Sequence, residues 1–175
     1  MEEESKNFKL ETAYNRLNLY QQHDCFELRS EDNALQSRID LARPHRLGLK
    51  NLEHLMAVLL FIPDPKSILL LGTAAGSLVH FLRHYLPQSP LTAVDIDTEL
   101  VEKMLQMRIL PAAGDGLTYV YTDARHYLTN CDDSYDLILV DIFNGAQSPA
   151  WLLEKNTSTA YTGCLAATVP WPTTC

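Results

Sequence analysis

The residues of this chain best suited to chemistry are the run Gly72-Thr73-Ala74-Ala75-Gly76-Ser77 and three later aspartates, Asp95, Asp123 and Asp141. Each follows directly on a stretch that reads as a buried strand. Residues of small volume let the backbone turn tightly against a ligand, and a helix starting at such a turn offers amide N–H groups to an anion or carboxylate. On this reading Gly72, Thr73, Ala74 and Gly76 form a ligand-binding loop. Asp95, about 20 residues further on and followed by Ile96, stands where a ribose diol is held in dinucleotide-type folds, accepting two hydroxyls at once. Asp123 can accept from an exocyclic adenine amine while the Ala124 N–H meets a ring nitrogen. A plain helix cap explains Asp123 equally well. Asp141 is the carboxylate nearest to where a reacting centre would lie.

These groups need strands to carry them. Ser67-Ile68-Leu69-Leu70-Leu71 is a short continuous apolar run, the pattern of a parallel strand covered on both faces. Leu91 to Val94, Leu117 to Thr122 and Tyr135 to Val140 predict three more strands. A fifth is predicted over Cys164-Leu165-Ala166-Ala167-Thr168-Val169. Between them helical spacing appears from Leu78 to Leu86, with Leu78, Leu82 and Tyr85 on one face, and from Thr98 to about Arg108. Asp123 caps a short helix, and Ser148-Pro149 reads as the start of another. Further upstream, Asn51 is expected to cap a helix to about Phe61 that buries Leu52, Leu55, Met56 and Leu59.

The fold class is therefore α/β: a Rossmann-like, doubly wound, mostly parallel sheet without residues for the last strands usual in such sheets. It is preceded by a small antiparallel β segment, read from the alternation in Leu17 to Tyr20, Cys25 to Arg29 and Ser37 to Leu41. Residues 1 to about 15 read as a polar lead-in. The expected division is 1–45 for lead-in and meander, and 46–175 for a nucleoside-binding domain that is short at its C-terminus.

Bulk properties exclude some function classes. A formal charge of −8 is the wrong sign for holding nucleic acid through its phosphates, although an acidic cleft attracts a small cation. The acidic start Met1-Glu2-Glu3-Glu4 is unlike a signal peptide, and no apolar run reaches the roughly 20 residues of a membrane span. The 4 cysteines are scattered without zinc spacing, as in a reduced cytoplasmic protein. His80 and His84 have a metal-compatible separation but no third ligand in view, so no metal is expected and both read as solvated.

The segments Ile68 to Ser77, Ala93-Val94-Asp95-Ile96-Asp97, Thr122-Asp123-Ala124-Arg125 and Tyr135 to Asp141 resemble the polyamine aminopropyltransferases. That is the spermidine synthase-like branch of the S-adenosylmethionine-dependent methyltransferase fold. The resemblance runs from about Leu17 to Leu153. It implies Asp95 as the ribose-binding acid, Asp123 as the adenine-side acid and Asp141 as the catalytic base. It also implies decarboxylated S-adenosylmethionine, or S-adenosylmethionine, as donor and a small amine as acceptor. A small N-terminal β domain used in oligomer contacts, here a possible homodimer, belongs to the same resemblance. Two positions depart from it: Ala75 stands where an acid grips the donor's amine, and Asn144 stands where a second Asp follows the base. Three readings stay open: aminopropyl transfer to an uncertain acceptor, methyl transfer on the same fold, and an inactive binding or scaffold homologue.

Overall fold

The computed structural model describes residues 6–142, 149–154 and 164–165. Two four-stranded sheets organise it. The first is an antiparallel meander of β1 (Lys6–Glu11), β2 (Arg16–Gln22), β3 (Cys25–Ser30) and β4 (Leu35–Asp40), paired in chain order. Period-2 alternation puts Leu17, Leu19, Phe26, Leu28, Ser37 and Ile39 on one buried face. β1 corrects the expected polar lead-in. Its side chains are exposed apart from Leu10, so no burial pattern marks it, and it is held by backbone pairing with β2 from Lys6↔Gln21 to Glu11↔Arg16.

The second sheet is parallel, in the order β7-β6-β5-β8. Its strands are β5 (Ile68–Leu71), β6 (Leu91–Asp95), β7 (Leu117–Tyr121) and β8 (Leu137–Val140). Every residue of β5 is buried, because the strand is central and both its faces are covered. Ile68 and Leu70 pack on the side that also receives the meander's buried face, whereas Leu69 and Leu71 pack with Val94, Ala124, Leu128 and Tyr135 on the other. Strand order reverses between β5 and β8, which defines the switch point at their carboxyl ends.

Among the described residues four helices complete the scaffold: α1 (Lys50–Met56), α2 (Ser77–Tyr85), α3 (Thr98–Gln106) and α4 (Ala124–Thr129). Asn51 does not cap α1. Leu49 occupies that position, with its carbonyl accepting from Leu52 N and Glu53 N, and a 3-10 turn over Ala57–Leu60 replaces the predicted end of the helix. α2 buries Leu78, Val79 and Leu82, but Tyr85 is exposed. The histidines of α2 are not simply solvated. His80 Nε2 lies 2.7 Å from the Ile109 carbonyl oxygen, and the His84 ring stacks on His45 with centroids 3.9 Å apart.

A 3-10 turn covers Ala150–Leu153, so Pro149 precedes it. Ser148 lies outside the described residues, as does Asn144. Of the predicted fifth strand only Cys164 and Leu165 are described; Tyr135 N donates to the Cys164 carbonyl at 2.7 Å, and Leu165 bridges in parallel to Tyr135. Among the described residues no helix is long and apolar enough to cross a membrane.

Candidate functional site

The carboxyl ends of β5, β6, β7 and β8 open into a cleft of about 980 Å³. Gly72, Thr73, Ala74, Asp95, Ile96, Asp123, Ala124 and Asp141 all line it. Gly76 does not. Buried beneath the loop at φ +89°, it leaves room for Leu110: a Cβ there would lie 2.2 Å from Leu110 Cδ2. Gly72 also serves packing within the protein. At φ +94° an added Cβ would meet the Asp141 carbonyl oxygen at 2.3 Å, so only glycine lets the loop after β5 close onto the end of β8.

The loop amides behave differently from the expectation of free donors. Thr73 N and Ala74 N donate to Asp95 Oδ2 at 2.7 and 3.3 Å, and Asp97 N donates to Asp95 Oδ1 at 2.9 Å. The carboxylate that these amides hold is the protein's own. Of roughly four acceptor positions on a carboxylate, three are taken, which leaves Asp95 one strong further bond rather than the expected two. Burial pushes the Asp95 carboxyl up, and the three N–H donors pull it back. Thr73 Oγ1 is buried and has no hydrogen-bond partner among the described residues.

Asp123 caps α4, its Oδ1 accepting from His126 N at 2.9 Å, and stays exposed at the rim. Asp141 follows β8, with its backbone N–H donating to the Leu71 carbonyl at 2.8 Å. Burial raises its carboxyl from the ordinary 3.8 to about 6. Among the described residues no three His, Cys, Asp or Glu side chains are grouped as a metal site.

The opposite wall was missed by sequence reasoning. It comes from the meander: the β1–β2 turn with Thr12 and Asn15, the start of β2, and Ser30, Glu31, Asp32 and Gln36 around the β3–β4 turn. Pro149 and Trp151 close one side. With Asp95, Asp123, Asp141, Glu31 and Asp32 against Arg16, the lining is acidic and favours a cationic guest. A turn between polar strands carries no local sign that it will face a site across the molecule. Asp97 was also missed. It is 1% exposed and caps α3 through Leu100 N at 3.1 Å. An Asp before Thr-Glu-Leu is a readable cap signal that could have singled it out.

A parallel sheet with a glycine turn after its first strand and an acid at the end of the second is the arrangement of a Rossmann-like α/β fold. The chain belongs to the spermine/spermidine synthase family: the Spermine/spermidine synthase domain matches residues 51–166. It is 37% identical over 114 residues to a polyamine aminopropyltransferase of Chromobacterium violaceum, covering 65% of this chain and 44% of that protein. A Neisseria meningitidis polyamine aminopropyltransferase is 31% identical over 124 residues, 70% of this chain and 47% of the relative. The chain thus spans under half the length of these curated relatives. Among solved structures, a probable spermidine synthase from Corynebacterium glutamicum superposes with a TM-score of 0.79 at 23% identity, covering 91% of this chain and 60% of that one. Human methyltransferase-like protein 13, solved with SAH, superposes at 0.57 and 22% identity over 67% of this chain and 59% of its own. At these identities the superpositions establish the fold: a methyltransferase-like α/β sheet with a small antiparallel sheet before it.

Proposed function

We propose that the cleft binds an adenosyl sulfonium donor, decarboxylated S-adenosylmethionine or S-adenosylmethionine, and that the chain transfers the aminopropyl group of the decarboxylated form to a small amine. The observation that carries this reading is the convergence of Asp95, Asp123 and Asp141 on one cleft at the switch point, in a member of the spermine/spermidine synthase family. The donor set fits such a guest. Asp95 retains one acceptor position for a ribose hydroxyl, Asp123 and the Ala124 backbone stand at the adenine end, and the Thr73 hydroxyl, unpartnered among the described residues, is one that a ligand could engage. The acidic lining suits a sulfonium and an ammonium together.

The donor contributes an electrophilic carbon beside its sulfonium, and the rest falls to this chain. An amine reaches the site as ammonium and must lose a proton before its nitrogen attacks. Asp141, held toward neutral pH by burial, is a stronger base than an ordinary carboxylate and accepts that proton. Holding the nitrogen in line with the carbon supplies further acceleration: as the C–N bond forms, the C–S bond breaks and its electron pair stays on sulfur, so the sulfonium leaves as the neutral thioether 5′-methylthioadenosine. Ala75, where the family resemblance leads one to expect an acid, is 2% exposed and lies in the core rather than on the cleft wall. The amine must therefore be held by other groups of the lining.

The test is incubation of the purified chain with each donor and a panel of di- and polyamines, with products read by mass spectrometry. A propylamine adduct on the acceptor is the expected result. A methyl adduct supports the methyltransferase reading instead, and the absence of product with either donor supports an inactive homologue.

A further inference from the structure

Asp97 holds an unusual position for a helix cap. Its carboxylate is almost wholly buried, and its Oδ2 accepts from two side chains of the antiparallel sheet, Thr12 Oγ1 and Asn15 Nδ2, both at 2.6 Å. The turn that supplies them is itself braced: Thr12 N donates to the Asn15 carbonyl at 2.9 Å, and Asn15 N to Thr12 Oγ1 at 2.9 Å. Asp97 in turn presents its backbone N–H to Asp95 Oδ1, and Asp95 Oδ2 holds Thr73 N and Ala74 N of the glycine loop. One hydrogen-bonded chain therefore runs from the meander turn through both acids to the loop after β5.

We propose that Thr12 and Asn15 are positioning residues for the nucleoside site: by satisfying the buried Asp97 carboxylate they fix its backbone, and so aim the free acceptor position of Asp95 into the cleft. As a statement about ligand binding this rests on the reading under Proposed function. A buried carboxylate deprived of two donors must find water or a proton, because an unpaired charge away from solvent is costly. The segment Ile96-Asp97 is the part that can shift, since Ile96 is exposed at the cleft edge. Such a shift withdraws the Asp97 N–H from Asp95 and loosens the grip of Asp95 on Thr73 and Ala74. The antiparallel sheet thus sets the orientation of the ribose-side acid as well as walling the cleft.

The alternative is a purely structural joint between two sheets. Amide hydrogen exchange on the ligand-free protein separates the two, comparing wild type with Thr12→Val, Asn15→Ala and Thr12→Ser. We expect Thr12→Val and Asn15→Ala to speed exchange at Asp97, Thr73 and Ala74 about tenfold, the loss of a bond to a charged group. The ladder amides of Leu69 and Ala93 should stay as in wild type, and Thr12→Ser should restore protection. Titration with 5′-methylthioadenosine should show a matching loss of affinity in Thr12→Val that Thr12→Ser reverses. Unchanged exchange at Asp97, Thr73 and Ala74, or acceleration shared equally by the ladder amides, overturns the proposal. A wild-type chain that binds no 5′-methylthioadenosine defeats the proposed function instead, and the exchange comparison still decides the clamp.

Discussion

Replacing Asp141 with asparagine should stabilise the protein at neutral pH while removing the proposed transfer activity. Burial holds the Asp141 carboxyl at about 6 in the folded chain against an ordinary 3.8. Below about pH 4 the group is protonated in both folded and unfolded chains and contributes no difference. Between there and pH 6 the unfolded chain releases the proton and the folded chain keeps it, so stability falls as pH rises. Above 6 the full penalty of a buried charge remains. At 1.36 kcal/mol per pH unit the displacement corresponds to about 3 kcal/mol, and partial contact with solvent at the cleft reduces this to about 2 kcal/mol. Asparagine has the same shape without the charge. Urea unfolding of wild type and Asp141→Asn from pH 4 to pH 8 reads the effect directly. The difference should be near zero at pH 4 and grow to about 2 kcal/mol in favour of the variant by pH 7. Transfer by wild type should show a rising limb centred near pH 6, absent from the variant. A stability difference that does not change with pH, or one that favours wild type above pH 6, refutes the assignment of a buried, destabilised base.

Gly72→Ala should lose about 2–4 kcal/mol or fail to fold, because the new Cβ meets a backbone oxygen at a positive φ; a thermal melt within 2 °C of wild type would contradict this. For Asp123, alanine should cost about 1 kcal/mol through loss of the α4 cap, measured by urea unfolding. Serine should keep the cap and still weaken 5′-methylthioadenosine binding about tenfold. Unchanged affinity in Asp123→Ser assigns that residue to the cap alone.

What could be read from the chain follows a physical division. The parallel strands announce themselves because β5 and β8 are covered on both faces or nearly so, and burial forces continuous apolar runs such as Ile68 to Leu71. The Asp123 cap is equally local, its acceptor lying three residues from its donor. β1 was invisible for the opposite reason: its side chains face solvent, and its pairing lies wholly in the backbone. The partners of Asp97 were beyond reach because Thr12 and Asn15 stand 85 and 82 residues away in the chain. The glycine run marks a tight turn, but its cause is not local. Gly72 accommodates the Asp141 carbonyl and Gly76 accommodates Leu110, contacts that depend on tertiary packing. Loop amides that were expected to await a ligand are engaged by Asp95 for the same reason.

Isothermal titration of the wild-type chain and of Asp95→Ala with 5′-methylthioadenosine addresses the central claim, that the strand-end aspartates clasp an adenosine-type molecule. Saturable one-to-one binding by wild type, weakened at least tenfold in the variant, is the expected result. Equal affinity in the two proteins, or no heat of binding in either, would contradict it.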